Sequence, residues 1–324
     1  MNICHYRRYE VSQILYRRRI IILRYDEYLE DIPYEQKLKY LGSQFLVVNY
    51  GYVTILDVKR INPKYYSYRN KRNLFLQIEL TNKYTSQKMW VDSTTLKMSR
   101  FHNPLMILKH GGYIGYGEYT SMSPDRCYKK WESMLTRCTD NVRSSYDNTY
   151  VTEEWLCYQN FAKWFFDINK SNYHKGYQID KDLTQIDSKI KFYGSEYCNY
   201  LPSAINQYIK CWEYTKSKTS SSFSISFATT RINLSPVYFM LKDNIEAANI
   251  LLNKHRAYLI LTVAEKYLEF NLINKRIHSL LINFAKRIVD VDNIENEIKE
   301  KEKALIKNAI MIDINNELKK ISEK

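Results

Sequence analysis

Asp180 and Asp182 stand two residues apart in Ile179-Asp180-Lys181-Asp182-Leu183. On a strand, alternate side chains share a face, so the two carboxylates could bridge a Mg²⁺ or another divalent cation that keeps several of its waters. Such an ion is a Lewis acid, so a metal-holding and with it a catalytic role could fall to Asp180 and Asp182. Lys181, between them, is protonated at neutral pH and cannot act as a base unless burial lowers its pKa by several units. Acid-x-acid triplets are also common on surfaces, and a solvated or lysine-paired turn is the favoured alternative. His174 lies six residues upstream in the polar run Asn172-Tyr173-His174-Lys175-Gly176 and reads as a solvated side chain.

A second chemistry is suggested by charge. Forty-nine Lys and Arg oppose 35 Asp and Glu, for a net charge of +14. Residues 1–25 hold +5 and residues 291–324 hold −1, leaving +10 for the body between them. A cationic body attracts polyphosphate, because each neutralised phosphate releases a condensed counterion. Double-stranded DNA is the leading partner, with Arg17, Arg18, Arg19, Arg69, Lys71, Arg72, Lys129, Lys130, Arg137 and Lys181 as candidate contacts. Arg17, Arg18 and Arg19 are consecutive, so on a helix they spread by about 100° each and at most two face one groove. Tyr65, Tyr66 and Tyr68 beside Arg69, Lys71 and Arg72 could stack on bases or form one face of a Tyr-rich sheet. The competing account of the charge is compositional. Thirty Tyr against eight Gly, with plentiful Lys, Asn and Ile, suggests an AT-rich coding source and a merely solvated basic surface.

Other classes are excluded. The apolar runs, such as Ile20–Leu23, fall far short of the ~20 residues of a spanning helix. The same run is too short for the centre of a secretory signal, so a cytoplasmic protein is expected. The six cysteines show no C-x-x-C spacing, which predicts buried free thiols rather than a zinc ribbon or a disulfide framework.

The densest run of distinctive residues is Arg126-Cys127-Tyr128-Lys129-Lys130-Trp131-Glu132-Ser133-Met134-Leu135-Thr136-Arg137-Cys138. It is followed by Tyr150-Val151-Thr152-Glu153-Glu154-Trp155, Asn160-Phe161-Ala162-Lys163-Trp164, Ile179-Asp180-Lys181-Asp182-Leu183 and Tyr193-Gly194-Ser195-Glu196-Tyr197-Cys198. This succession resembles a group of phage-encoded HNH-endonuclease-like proteins. The resemblance takes in the β-rich stretch before it and the segment Gly112-Tyr113-Ile114-Gly115-Tyr116-Gly117. Downstream, Tyr238-Phe239, Asn244-Ile245-Glu246-Ala247-Ala248 and Val263-Ala264-Glu265-Lys266-Tyr267 are similar to the AP2-like DNA-binding domain carried by homing endonucleases of this kind. What the resemblance implies is a hairpin-and-helix (ββα-metal) finger in which a histidine activates water, a divalent ion polarises the phosphate and an asparagine orients the loop. This chain departs from it. Asp180-Lys181 stands where an Asp-His is expected, and Glu196-Tyr197-Cys198 stands where the asparagine is expected.

The elements that must position these residues follow from periodicity. An α+β, multidomain chain is expected: a basic helical arm over 1–40, a small antiparallel β domain over 41–117 ending in a Gly-rich hinge, an HNH-endonuclease-like domain over 118–215, a reduced AP2-like segment and helices over 216–290, and a charged helical tail over 291–324. Short β-branched and aromatic runs at Gln44–Asn49, Tyr52–Val58, Leu74–Leu80 and Lys88–Val91 predict the strands. Helical spacing predicts helices over 125–140, over Glu153–Asp167 with Thr152 as its cap, over Asp243–Phe270 and over Asn274–Ile288. Ser217–Phe239 leaves room for about two short strands. The tail's charges alternate in sign, which predicts a solvent-exposed helix with i,i+4 pairs and a face for a partner protein. The function expected is a phage-type DNA-binding protein related to HNH/AP2 homing endonucleases and impaired in catalysis. An active metal-dependent nicking enzyme and a virion-associated interaction protein are the alternatives.

Overall fold

The computed structural model describes residues 22–23, 29–62, 74–120, 126–140, 146–172, 177–209, 224–226, 231–233, 245–290 and 294–322. The chain is a mixed α+β protein with small antiparallel sheets and a helical C-terminal region. It divides into two compact units, one drawn from Met1–Arg143 and Glu153–Lys163, the other from Ser144–Thr152 and Trp164–Lys324.

The first unit is built on a five-stranded antiparallel sheet. Its strands are β1 (Ile22–Leu23), β2 (Leu29–Asp31), β5 (Asp57–Ile61), β6 (Leu74–Thr81) and β7 (Ser86–Asp92), in the order β1-β7-β6-β5-β2. A separate hairpin, β3 (Gln44–Val47) with β4 (Gly51–Thr54), lies between them in sequence. Alternation decides the faces: Leu76, Ile78 and Leu80 of β6 and Met89 and Val91 of β7 are fully buried, whereas Glu79 and Thr81 are exposed. Within 1–40 the described residues are not one helical arm. Ile22 and Leu23 add an edge strand to β7, Leu29–Asp31 pairs with β5, and only the single turn α1 (Tyr34–Lys37) is helical. β-branched residues such as isoleucine favour extended backbone over helix. A short helix α2 (Ser93–Lys97) follows β7, capped by the Asp92 carboxylate, which accepts from the amides of Thr94 and Thr95.

The Gly-rich segment, expected to be a hinge, is packed backbone. Tyr113 forms a parallel bridge with Cys157: its amide donates to the Leu156 carbonyl at 2.9 Å, and its carbonyl accepts from the Tyr158 amide at 2.9 Å. The Gly115 amide donates to the Pro104 carbonyl. Three helices frame this region: α3 (Cys127–Thr139), α4 (Glu153–Leu156) and α5 (Tyr158–Asn172), the last contributing only as far as Lys163 to this unit. Glycine is required by close approach. A Cβ on Gly112 would lie 2.5 Å from Leu135 Cδ1 and 2.6 Å from Trp131 Cζ2, and one on Gly115, at φ +77°, would lie 2.6 Å from Cys157 Sγ.

The second unit contains the parallel pair β8 (Thr149–Val151) with β10 (Lys191–Tyr193), and two antiparallel pairs. These are β9 (Gln178–Asp180) with β11 (Asn199–Leu201), and β12 (Ser224–Ser226) with β13 (Arg231–Asn233). The helix α6 (Ser203–Tyr208) follows β11 and packs on β9. Thr152 does not cap α4 as expected: its hydroxyl is buried without a hydrogen-bond partner, and its amide extends the β8–β10 pairing by donating to the Tyr193 carbonyl. The helices α7 (Ile245–Glu269), α8 (Lys275–Ile288), α9 (Ile294–Glu297) and α10 (Glu300–Ser322) complete this unit. Its core joins Leu259, Ile260 and Val263 of α7 with Leu281 and Phe284 of α8 and Ile306, Ile310 and Ile314 of α10.

The tail helix is therefore not solvated on all sides. Sign alternation is confined to its first turns. From Ile306 onward, residues at i, i+3 and i+4 spacing are buried, including Asp313, which accepts a hydrogen bond from the Tyr208 hydroxyl. Glu302, near its start, meets the buried His255 ring at 2.9 Å, and the ion pairs along the helix are i,i+3 (Glu300–Lys303 and Glu317–Lys320). Cys127, Cys138, Cys157 and Cys198 are free thiols, Cys138 half-buried and the rest buried. Among the described residues no helix is long and apolar enough to cross a membrane.

The glycine packing yields a graded expectation. Gly111, at φ +83°, has open space where a Cβ would sit, so Gly111→Ala should lower stability by about 1 kcal/mol from backbone strain alone. Gly112→Ala should cost about 1–3 kcal/mol from overpacking against Trp131 and Leu135, and Gly115→Ala should combine both penalties. Urea unfolding of the three variants measures the order, and equal midpoints would show the segment to be loosely held.

Candidate functional site

The carboxylate pair is placed by the β9–β11 ladder. Asp180 is the last residue of β9, directly opposite Asn199 of β11, and is 2% exposed. Lys181 and Asp182 lie beyond the strand in a turn, so the two carboxylates do not share a strand face. Asp180 Oδ2 accepts from the Leu183 amide at 2.8 Å and closes that turn, while Oδ1 is buried with no hydrogen-bond partner. Burial pushes the Asp180 pKa up to about 6; the Asp182 charge adds to this, and the turn amides of Leu183 and Asp182 oppose it.

Asp182 has the opposite environment. Its Oδ1 binds the Lys181 ammonium at 2.9 Å and the Lys191 ammonium as well. Burial alone would push its carboxyl up, but the hydrogen bonds from Lys191 and Lys181 outweigh burial and hold it below the usual range. Lys181 is only 7% exposed, with its ammonium 5.3 Å from the Tyr146 ring centroid and 5.9 Å from that of Tyr193. Its charge is engaged internally, which corrects its expected role as a nucleic-acid contact. Gln185 locks the surrounding loop by donating to the carbonyls of Lys181 and Phe192 and accepting from the Phe192 amide. Cys198 is buried, and burial pushes its thiol well above the usual range. Among the described residues no three His, Cys, Asp or Glu side chains gather as a metal would require.

The other described candidates sit on α3. Cys127, Trp131, Met134 and Leu135 form its buried face, and Trp131 Nε1–H donates to the Trp155 carbonyl at 2.7 Å. Lys129, Glu132, Ser133, Thr136 and Arg137 recur at i, i+3, i+4, i+7 and i+8 on the opposite stripe, which Asp140 prolongs. With His110 they line a cleft of about 690 Å³. Lys130 lies off this stripe, half-buried, and burial lowers its pKa. Arg17, Arg18, Arg19, Arg69, Lys71, Arg72, His174, Tyr65, Tyr66 and Tyr68 lie outside the described residues.

Three residues escaped the sequence reasoning. Asn199 follows Cys198 immediately and faces Asp180 across the ladder, and its Nδ2 is buried without a partner. Asn206 of α6 donates to Gln178 Oε1 of β9 at 2.8 Å. His110 stands 30 residues from Asp140 in sequence yet 3.5 Å from its carboxylate. Only the strand register could have disclosed the first, and only the packing of Gly112 on Trp131 the last.

No family model, curated protein or solved structure matches this chain.

The buried carboxylate gives a pH signature. Because the folded pKa of Asp180 is raised, its contribution favours the folded state fully below the unfolded value near 4 and is lost as pH rises through about 6. Asp180→Asn removes this dependence and keeps an acceptor for the Leu183 amide. Relative to wild type, the variant should gain about 3 kcal/mol between pH 4 and pH 8 in denaturant unfolding. A difference that stays flat with pH would mean that Asp180 ionises like a solvated carboxyl.

Proposed function

We propose that this chain binds duplex DNA through its cationic surface, on an HNH-like scaffold that has lost the hydrolytic centre. One observation carries the loss: the Lys181 ammonium, standing where a base is needed, is bound to Asp182 and enclosed by Tyr146 and Tyr193. A lysine held this way neither accepts a proton from water nor leaves Asp182 free for a cation, since two ammonium groups already occupy Oδ1. The antiparallel pair β9–β11, with β10 in the connection between its strands and α6 directly after it, supports the scaffold reading, because two antiparallel strands followed by a helix are what the sequence resemblance implies. The short β12–β13 pair fits a reduced AP2-like segment.

The net charge of +14 supports the polyanion partner. Among the described residues Lys129, exposed, and Arg137, half-buried, bring positive charge to the cleft on α3. The virion-interaction alternative gains no support from the tail helix, whose apolar face is occupied by the unit's own core.

Fluorescence anisotropy with a labelled duplex tests the reading. Affinity should fall with salt at a log–log slope near −0.9 per phosphate contacted. Asp180→Asn should leave affinity unchanged, and supercoiled DNA should stay intact with Mg²⁺ or Mn²⁺. Nicking that requires the metal and disappears in Asp180→Ala would establish the active-nuclease alternative instead.

A further inference from the structure

The cleft on α3 contains a proton acceptor whose tautomer the hydrogen bonds assign. His110 Nδ1 lies 2.9 Å from the Thr139 hydroxyl. That hydroxyl has a single proton and donates it to the Leu135 carbonyl at 3.1 Å, one helical turn back. With its proton so placed the hydroxyl accepts toward His110, which puts the hydrogen on Nδ1. The Asp140 carboxylate, 3.5 Å from the same nitrogen, is a second acceptor on that side and reinforces the assignment. In the neutral ring Nε2 then carries the lone pair, and it has no hydrogen-bond partner among the described residues.

The other groups of the cleft define what such an acceptor can meet. Lys129 and Arg137 bring positive charge, Ser133 brings a hydroxyl, and Glu132 and Asp140 balance the two cations while the ring is neutral. A ligand with negative charge and no proton, such as a backbone phosphodiester, would set an anionic oxygen against the Nε2 lone pair in a cleft of no net charge. A phosphomonoester differs, because its second ionisation lies near pH 6 and it shares a proton readily. With that proton between a phosphate oxygen and Nε2, the cleft gains one positive charge and a charge-assisted hydrogen bond at the same moment.

We propose that the cleft is a phosphomonoester-binding site in which His110 Nε2 shares the ligand's proton and Lys129 and Arg137 hold its anionic oxygens, with Asp140 and Thr139 as positioning residues. The chemistry suits the 5′-phosphate of a DNA strand end or a free phosphate alike. It deepens the duplex-binding reading and rests on it only in naming a strand end as one source.

The test is imidazole ¹⁵N NMR of the full chain, whose six histidines keep the spectrum simple, near pH 7.5, where an ordinary imidazole is mostly neutral. In the free protein His110 should show the Nδ1–H tautomer. Inorganic phosphate should move its Nε2 resonance toward the protonated position, and dimethyl phosphate at the same concentration should leave it in place. Lys129→Ala with Arg137→Ala, both on the solvent side of α3, should weaken phosphate binding about tenfold or more while the free-state tautomer persists. A duplex with 5′-phosphates should bind more tightly than its 5′-hydroxyl counterpart, and His110→Asn should erase the difference. Phosphate response without discrimination between duplex ends supports the site with free phosphomonoester as its ligand, and phosphate response without any duplex binding supports it while removing the duplex reading. No response to phosphate, or an equal response to dimethyl phosphate, overturns the proposal even if the duplex binds.

Discussion

The absence of a side chain at Gly112 is the constraint on which the α3 cleft of the first unit depends. Trp131 fills the space a Cβ would take, and its indole N–H is fixed by the Trp155 carbonyl. The main chain carrying His110 thus approaches α3 closely enough for the imidazole to reach Thr139 and Asp140. Gly112 and Gly115 serve close contact. A residue type that sequence reasoning associates with freedom is here the condition for rigidity, since only a chain stripped of Cβ atoms can be laid against an indole and a leucine at this distance.

In the second unit the governing fact is an imbalance between two neighbouring carboxylates. Asp180 is buried, holds a turn with one oxygen and has no partner for the other. Asp182 is 41% exposed at the side chain and binds two lysines. Two carboxylates set so far apart in environment are a familiar arrangement for acid–base division of labour. Here the second is already bound by two lysines of the chain itself, and the burial of the first costs stability once it ionises.

Much of the architecture was legible. The strands over Leu74–Thr81 and Ser86–Asp92 alternate cleanly, and the helices Cys127–Thr139, Ile245–Glu269 and Lys275–Ile288 carry apolar residues at helical spacing, so local pattern and tertiary role agree. Where they disagreed, the reading failed for identifiable reasons. Ile22 and Leu23 lie beside arginines, which suggests a basic helix, but their partner is a strand almost seventy residues away. The tail's alternating charges describe only its first turns and conceal the later stripe of Ile306, Ile310 and Ile314. Asp180 and Asp182 fit an i,i+2 rule that ends with the strand at Asp180. His110 and Asn199 become visible only through contacts that no local spacing encodes, a glycine against an indole in one case and a strand register in the other.

The course of the backbone between the two units adds a consequence for how this molecule can be taken apart. The chain passes from one unit to the other after Arg143, returns after Thr152 and leaves again after Lys163. No single cut yields both units whole: scission before β8 strips the first of α4 and the start of α5, and scission after Lys163 strips the second of β8, the parallel neighbour of β10. Expression of isolated halves should therefore give incomplete cores. Any dissection of this protein has to work by circular permutation or by paired fragments, with the interleaved segment supplied to its owner.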